Sequence, residues 1–173
     1  YCNGAFVGEW PYGYSSFALD LTDVIRPGED NLIAVRLENR EHSSRWYPGA
    51  GLYRNVRLVY LSPVHVAHWG TYVTTPEVSC ESSSINLKTT VENHGAAGDV
   101  TLRTEVRDVG GNVAASDETV AHVDGRQVIE QAFSVEKPKL WMPGQPNLYH
   151  ITSDVLVDGV VVDGDGDTPV PDV

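Results

Sequence analysis

Along this chain apolar and polar side chains alternate in short runs, and no stretch sustains the 3.6-residue period of an amphipathic helix. A period of two fits a pleated strand with one face buried, so the chain is expected to be all-β, with no helix. Gly, Pro, Asn and Asp fill the breaks. Asn3-Gly4 is a hairpin signal, because both central positions of a type I′ turn need positive φ. It is followed by expected strands at 5–9, at 16–21 with Phe17, Leu19 and Leu21 on one face, and at 32–37. The turn before the third of these is Arg26-Pro27-Gly28-Glu29-Asp30, where proline fixes φ and glycine allows the reversal. A long loop rich in glycine and aromatics, 39–54, precedes a strand at 55–60, and Ser62-Pro63 marks a boundary between domains 1–62 and 63–173.

In the second domain, strand signals fall at 64–72, 85–93, 100–108, 112–116, 127–135, 149–157 and 160–163. That is the spacing of an immunoglobulin-like sandwich of about seven short strands. Asn93-His94-Gly95, Asp108-Val109-Gly110-Gly111 and Asp158-Gly159 supply turns that tolerate positive φ. The first domain has too few strands to close on itself. Its edges call for strands supplied upstream or by another copy, so a homo-oligomer paired through exposed strand edges is expected of the isolated chain.

With a formal net charge of −12, the surface repels phosphate backbones, which argues against nucleic acid as a partner. No run approaches the roughly 18 apolar residues of a membrane helix, and the first residues lack the pattern of a signal peptide. A soluble, cytoplasmic protein is the expectation. Lysine is confined to Lys88, Lys137 and Lys139 while aspartate is plentiful, a bias like that of proteins from salt-loving organisms. Cys2 and Cys80 fall in different domains and are read as unpaired thiols. The histidines show no zinc spacing supported by cysteine, so neither a metal nor a cofactor is implied.

Asn3-Gly4-Ala5-Phe6-Val7-Gly8, then Pro11-Tyr12-Gly13-Tyr14-Ser15-Ser16-Phe17 and Asp20-Leu21-Thr22-Asp23, resemble the sugar-binding domain of glycoside hydrolase family 2, its β-galactosidase-like members above all. The likeness continues through Gly28-Glu29-Asp30-Asn31-Leu32-Ile33-Ala34-Val35-Arg36 and is most specific in Ser43-Ser44-Arg45-Trp46-Tyr47-Pro48-Gly49-Ala50-Gly51-Leu52-Tyr53-Arg54. Val64-His65-Val66, Val73-Thr74 and the stretch from Pro138 to Tyr149 resemble the family's immunoglobulin-like domain, so essentially the whole chain is covered. The resemblance implies a partial jelly-roll, galactose-binding-like sandwich followed by an immunoglobulin-like β-sandwich. It also implies a partner outside the chain, the catalytic (β/α)8 barrel of the parent enzyme, near which the strap 138–149 packs. Val170-Pro171-Asp172-Val173 departs from the family's usual ending.

Retaining glycosidases need two carboxyl groups about 5 Å apart, and in this family both are barrel glutamates, so no catalytic residue is assigned here. Arg45 and Trp46 are the candidate substrate-binding residues. An indole face stacks on the C–H face of a pyranose and a guanidinium donates to hydroxyls, although simple packing of the loop accounts for both equally. Relatives place a polar or acidic residue near 42–44. Here His42, Ser43 and Ser44 include no aspartate, and that role is not carried over. Trp10, Tyr12 and Tyr14 form either a sugar platform or a packed cluster, while Trp69 and Trp141 read as core or strap anchors. Asp163-Gly164-Asp165-Gly166-Asp167 mimics the start of a calcium loop, but Thr168 stands where glycine is required, and an acidic disordered end fits better. The reading is a non-catalytic part of a family 2 exo-β-glycosidase that braces the active-site entrance and is inactive alone. The alternatives are a stand-alone carbohydrate-binding module and a purely structural or adhesive sandwich.

Overall fold

The computed structural model of the chain describes residues 1–42 and 49–164. Among the described residues there is no helix, hence none long and apolar enough to cross a membrane. The strands are β1 (Val64–Thr74), β2 (Ser82–Arg107), β3 (Val113–Glu136), β4 (His150–Val157) and β5 (Val160–Gly164), all paired antiparallel. The chain divides into two compact units, Tyr1–Arg57 and Leu58–Val173.

In the second unit the long strands β2 and β3 run side by side and bend together, so five continuous elements carry the seven short ladders read from the sequence. One half of the sheet joins β1, residues 82–93 and residues 125–136. The other joins residues 113–123 and 98–107 with β4 and β5. Side chains from both halves meet in the core. Val91 and Ile129 pack with Val100, Leu102 and Val155, and Ile85, Leu87 and Phe133 with Val106. The two halves therefore lie face to face, as in an immunoglobulin-like sandwich.

Asn93 makes the bend in β2. Buried itself, it donates through Nδ2 to Ala96 O at 2.8 Å and Val123 O at 3.1 Å, and its Oδ1 accepts from Gly95 N. The 108–112 turn is organised by Asp108, whose Oδ1 accepts from the backbone N–H groups of Gly110 and Asn112. Asp158 and Gly159, with φ of 51° and 76°, form the turn between β4 and β5.

Residues 113–123 form a longer strand than the expected 112–116, because the inward side of this stretch carries Asp117 and Thr119. Those polar residues mask the alternation, yet they are satisfied from above by Gln131. Its Nε2 donates to Thr119 Oγ1 at 3.2 Å, Asp117 Oδ2 at 3.3 Å and Leu102 O at 3.3 Å. The buried Thr104 hydroxyl completes the network, donating to Gln131 Oε1 at 2.7 Å with Ser153 Oγ 2.9 Å away.

Strand β1 is broken by a bulge between Val66 and Thr71. Trp69 there has φ of 53°, and a Cβ on Gly70 would stand 2.6 Å from Ala67 O and 2.9 Å from Thr90 O, so only glycine fits. Trp69 and Trp141, read as core or strap anchors, are both more than half exposed, which corrects the core half of that reading. The strap 138–149 also differs from a straight crossing. A tight turn at Gly144 pairs Met142 with Gln145, Asn147 Nδ2 donates to Leu140 O, and Lys139 N donates to the Tyr149 hydroxyl. Three prolines forbid long pairing, but four residues suffice for one closed turn.

The first unit contains the expected Asn3-Gly4 turn, with φ of 52° and 85° and reciprocal hydrogen bonds of 2.9 Å between Cys2 and Ala5. Residues 1–3 pair with 32–34, which buries Cys2. Asn31 holds the 26–31 turn by accepting from Arg26 N and donating to the carbonyls of Arg26 and Glu29, and Asn3 Nδ2 docks onto Asn31 Oδ1 at 2.8 Å. The expected strands at 5–9, 16–21, 32–37 and 55–60 form no ladders among the described residues; only isolated bridges appear, Cys2 with Ala5 and with Ile33. A strand exists only by pairing, and among the described residues these runs, with Phe6, Phe17, Leu37 and Val56 exposed, form no ladder with one another.

Candidate functional site

Arg45 and Trp46, the candidate sugar contacts, lie outside the described residues, as does the calcium-like tail beyond Gly164. The loop flanks are described. Gly51 has φ of 150°, the Tyr53 hydroxyl donates to Gly13 O at 3.3 Å, and the Arg54 guanidinium sits over the Tyr53 ring at 5.6 Å. Asn39, Arg40, Glu41 and His42 line an open cleft of about 330 Å³ just before Ser43.

Trp10, Tyr12 and Tyr14 do not make a single platform. The Trp10 indole stacks on Phe17 at 5.8 Å and donates to Ser15 Oγ at 2.9 Å, whereas Tyr12 and Tyr14 meet edge to face at 5.8 Å. All four rings remain substantially exposed, so each pair still offers a π face or edge to a sugar C–H surface.

Chemistry that sequence spacing did not display lies in the second unit, where strand register brings His65, Glu92 and His94 together. His65 sits directly opposite Glu92 across the β1–β2 ladder, and Arg126 lies opposite Glu92 on its other side. Val64 and Val66 pack into the core, so His65 between them points to the outer face, where it is nonetheless buried. His94 follows Glu92 by two and shares its face. The signal was present as a His on one strand and Glu-x-His on the next, but reading it required the register.

The Glu92 carboxylate is divided between neighbours. Oε2 stands 3.7 Å from His65 Nε2 and 3.6 Å from His94 Nε2, while Oε1 faces Arg126 Nη1 at 3.4 Å. His65 Nδ1 is 2.8 Å from Ser62 O, and His94 N donates to Pro63 O at 2.9 Å, so the 62–63 backbone holds both histidines. A carbonyl only accepts. His65 Nδ1 therefore carries the hydrogen, and in the neutral ring Nε2 bears the lone pair.

Cys2 is buried, Cys80 is exposed, and both are free. The sequence model of glycosyl hydrolases family 2 matches residues 64–168. The chain is 39% identical over 160 residues to the beta-galactosidase BoGH2A of Bacteroides ovatus, a match covering 90% of this chain and 19% of that protein. It is 30% identical over 187 residues to a beta-glucuronidase of Formosa agariphila, covering 94% of this chain and 19% of the relative. The crystal structure of a family 2 member from Bacteroides cellulosilyticus superposes with a TM-score of 0.87 at 32% identity, over 95% of this chain and 23% of the other. The chain thus spans about a fifth of the length of these relatives. On the family match and the shared fold together, the chain belongs to glycosyl hydrolases family 2.

Proposed function

We propose that this chain is a non-catalytic portion of a β-galactosidase-like exo-β-glycosidase, in which its two β-rich modules brace the entrance to an active site carried by a (β/α)8 barrel elsewhere in the parent. The observation that carries the proposal is the proportion of the match: nine-tenths of this chain corresponds to one-fifth of an enzyme named for β-galactosidase activity. The acid pair that breaks the bond then belongs to the remaining four-fifths, and this stretch contributes walls and loops. Domains 1–62 and 63–173 are the units of that role, with Arg45 and Trp46 at the sugar-facing rim.

Exposed apolar groups support a bracing role. Trp141, Met142 and Leu148 project from the folded strap, and Trp69 from a bulge whose backbone conformation is costly for a tryptophan. Both features suit burial against a neighbouring domain of the parent.

The test is a chimera of the Bacteroides ovatus relative in which the matching stretch is replaced by this chain, beside a variant with the stretch deleted. Turnover of a chromogenic β-galactoside is expected in the chimera and lost in the deletion. A deletion variant that folds and turns over normally would overturn the proposal. Titration of the isolated chain with galactosides addresses the carbohydrate-binding alternative, which requires saturable binding localised to the first unit's aromatics.

A further inference from the structure

We propose that His65, Glu92 and His94 form a binding site for a divalent transition-metal ion of the zinc class on the outer face of the sandwich. The inference is independent of the proposed role in the parent enzyme, because every group it uses lies on β1, β2, β3 and the turn before β1.

Zinc takes imidazole nitrogen and carboxylate oxygen at about 2.0–2.2 Å, so tetrahedral ligand atoms stand roughly 3.4 Å apart. Glu92 Oε2 is already 3.7 Å and 3.6 Å from the two Nε2 atoms, and all three ligand atoms fall within 4.8 Å of one another. Closing the set needs a shift of a few tenths of an ångström between Glu92 and His65 and a movement of His94, whose ring is exposed and stacked on His65 at 5.5 Å.

Two features resemble a built site. His65 is buried with its Nδ1 fixed on Ser62 O, the backbone-carbonyl support that sets tautomer and orientation in metal-ligating histidines. Arg126 engages the other Glu92 oxygen at 3.4 Å, which orients the carboxylate while leaving Oε2 to the metal. Two imidazoles and one carboxylate favour zinc-class ions over calcium or magnesium, which prefer all-oxygen shells. Three protein ligands leave a position for water or for a donor from another molecule.

Isothermal titration of the EDTA-stripped 173-residue chain with zinc chloride tests the site. One equivalent should bind with micromolar or tighter affinity, and cobalt(II) should give the visible absorption of a low-coordinate site. His94→Gln, at an exposed position, and Glu92→Gln should each weaken zinc binding at least about tenfold with the circular dichroism unchanged. His122→Gln, which alters an exposed histidine paired with Asp99, should leave it unchanged. Absence of saturable binding, or binding that survives either His94→Gln or Glu92→Gln, would overturn the proposal.

Discussion

Replacing Thr104 and Thr89 by valine, one at a time, should change stability in opposite directions. Both side chains are fully buried in β2, and valine is close to isosteric with threonine, so packing is nearly constant. The hydroxyls differ. Thr104 Oγ1 donates to Gln131 Oε1 at 2.7 Å and lies 2.9 Å from Ser153 Oγ, whereas Thr89 Oγ1 has no hydrogen-bond partner among the described residues. Thr104→Val strips a buried amide oxygen of its donor, which costs about 1–3 kcal/mol. Thr89→Val removes a hydroxyl that was desolvated without compensation and should stabilise by about 1 kcal/mol. Urea denaturation followed by far-UV circular dichroism reads both through the midpoint, the slope staying constant if only the native state changes. At roughly 2–8 °C per kcal/mol, the two melting temperatures should fall on either side of the parent value. Destabilisation of similar size in both variants would mean instead that Thr89 has a partner or that hydroxyl bonding does not distinguish the sites.

Gly70→Ala should destabilise the second unit by about 1–3 kcal/mol, seen as a lower urea midpoint, because its Cβ would meet the backbone oxygens of Ala67 and Thr90. The Asp108 carboxyl is held below its usual range, first by the Asn112 backbone N–H and then by the Asn112 side chain, with Gly110 and Lys139 adding to the effect. Its contribution is present above the ordinary aspartate value near pH 4 and is lost as pH falls through the depressed one. Asp108→Asn should therefore flatten the acid limb of a stability-versus-pH curve. The runs of the first unit that form no ladder among the described residues should make the isolated chain self-associate, measured by light scattering across a concentration series; a clean monomer at high concentration would count against edge pairing.

Local chemistry was legible in the sequence where a turn or a strand is decided by its own residues. Asn3-Gly4 and Asp158-Gly159 make the expected turns, and every strand of the second unit lies close to its alternating run. Legibility ended where distant partners decide. Nothing within 117–123 announces that Asp117 and Thr119 face inward, because the group that satisfies them is Gln131 on another stretch of β3. The expected turn was 26–30 and the next strand 32–37, with no role for Asn31, yet its side chain organises that turn and receives Asn3 from 28 positions away. Trp69 was read as a core or strap anchor, whereas it lies exposed in the bulge beside Gly70. The His65–Glu92–His94 group is legible only after register is known. In the first unit, alternation led to expected strands at 5–9, 16–21, 32–37 and 55–60, but ladders require neighbours, and among the described residues the runs do not find them in one another.

Incubating the purified 173-residue chain with a chromogenic β-galactoside decides whether it can break a glycosidic bond by itself. Hydrolysis indistinguishable from buffer is expected, since the carboxyl pair that breaks the glycosidic bond is proposed to lie in the rest of the parent. Turnover that co-purifies with the folded chain through successive columns would contradict it.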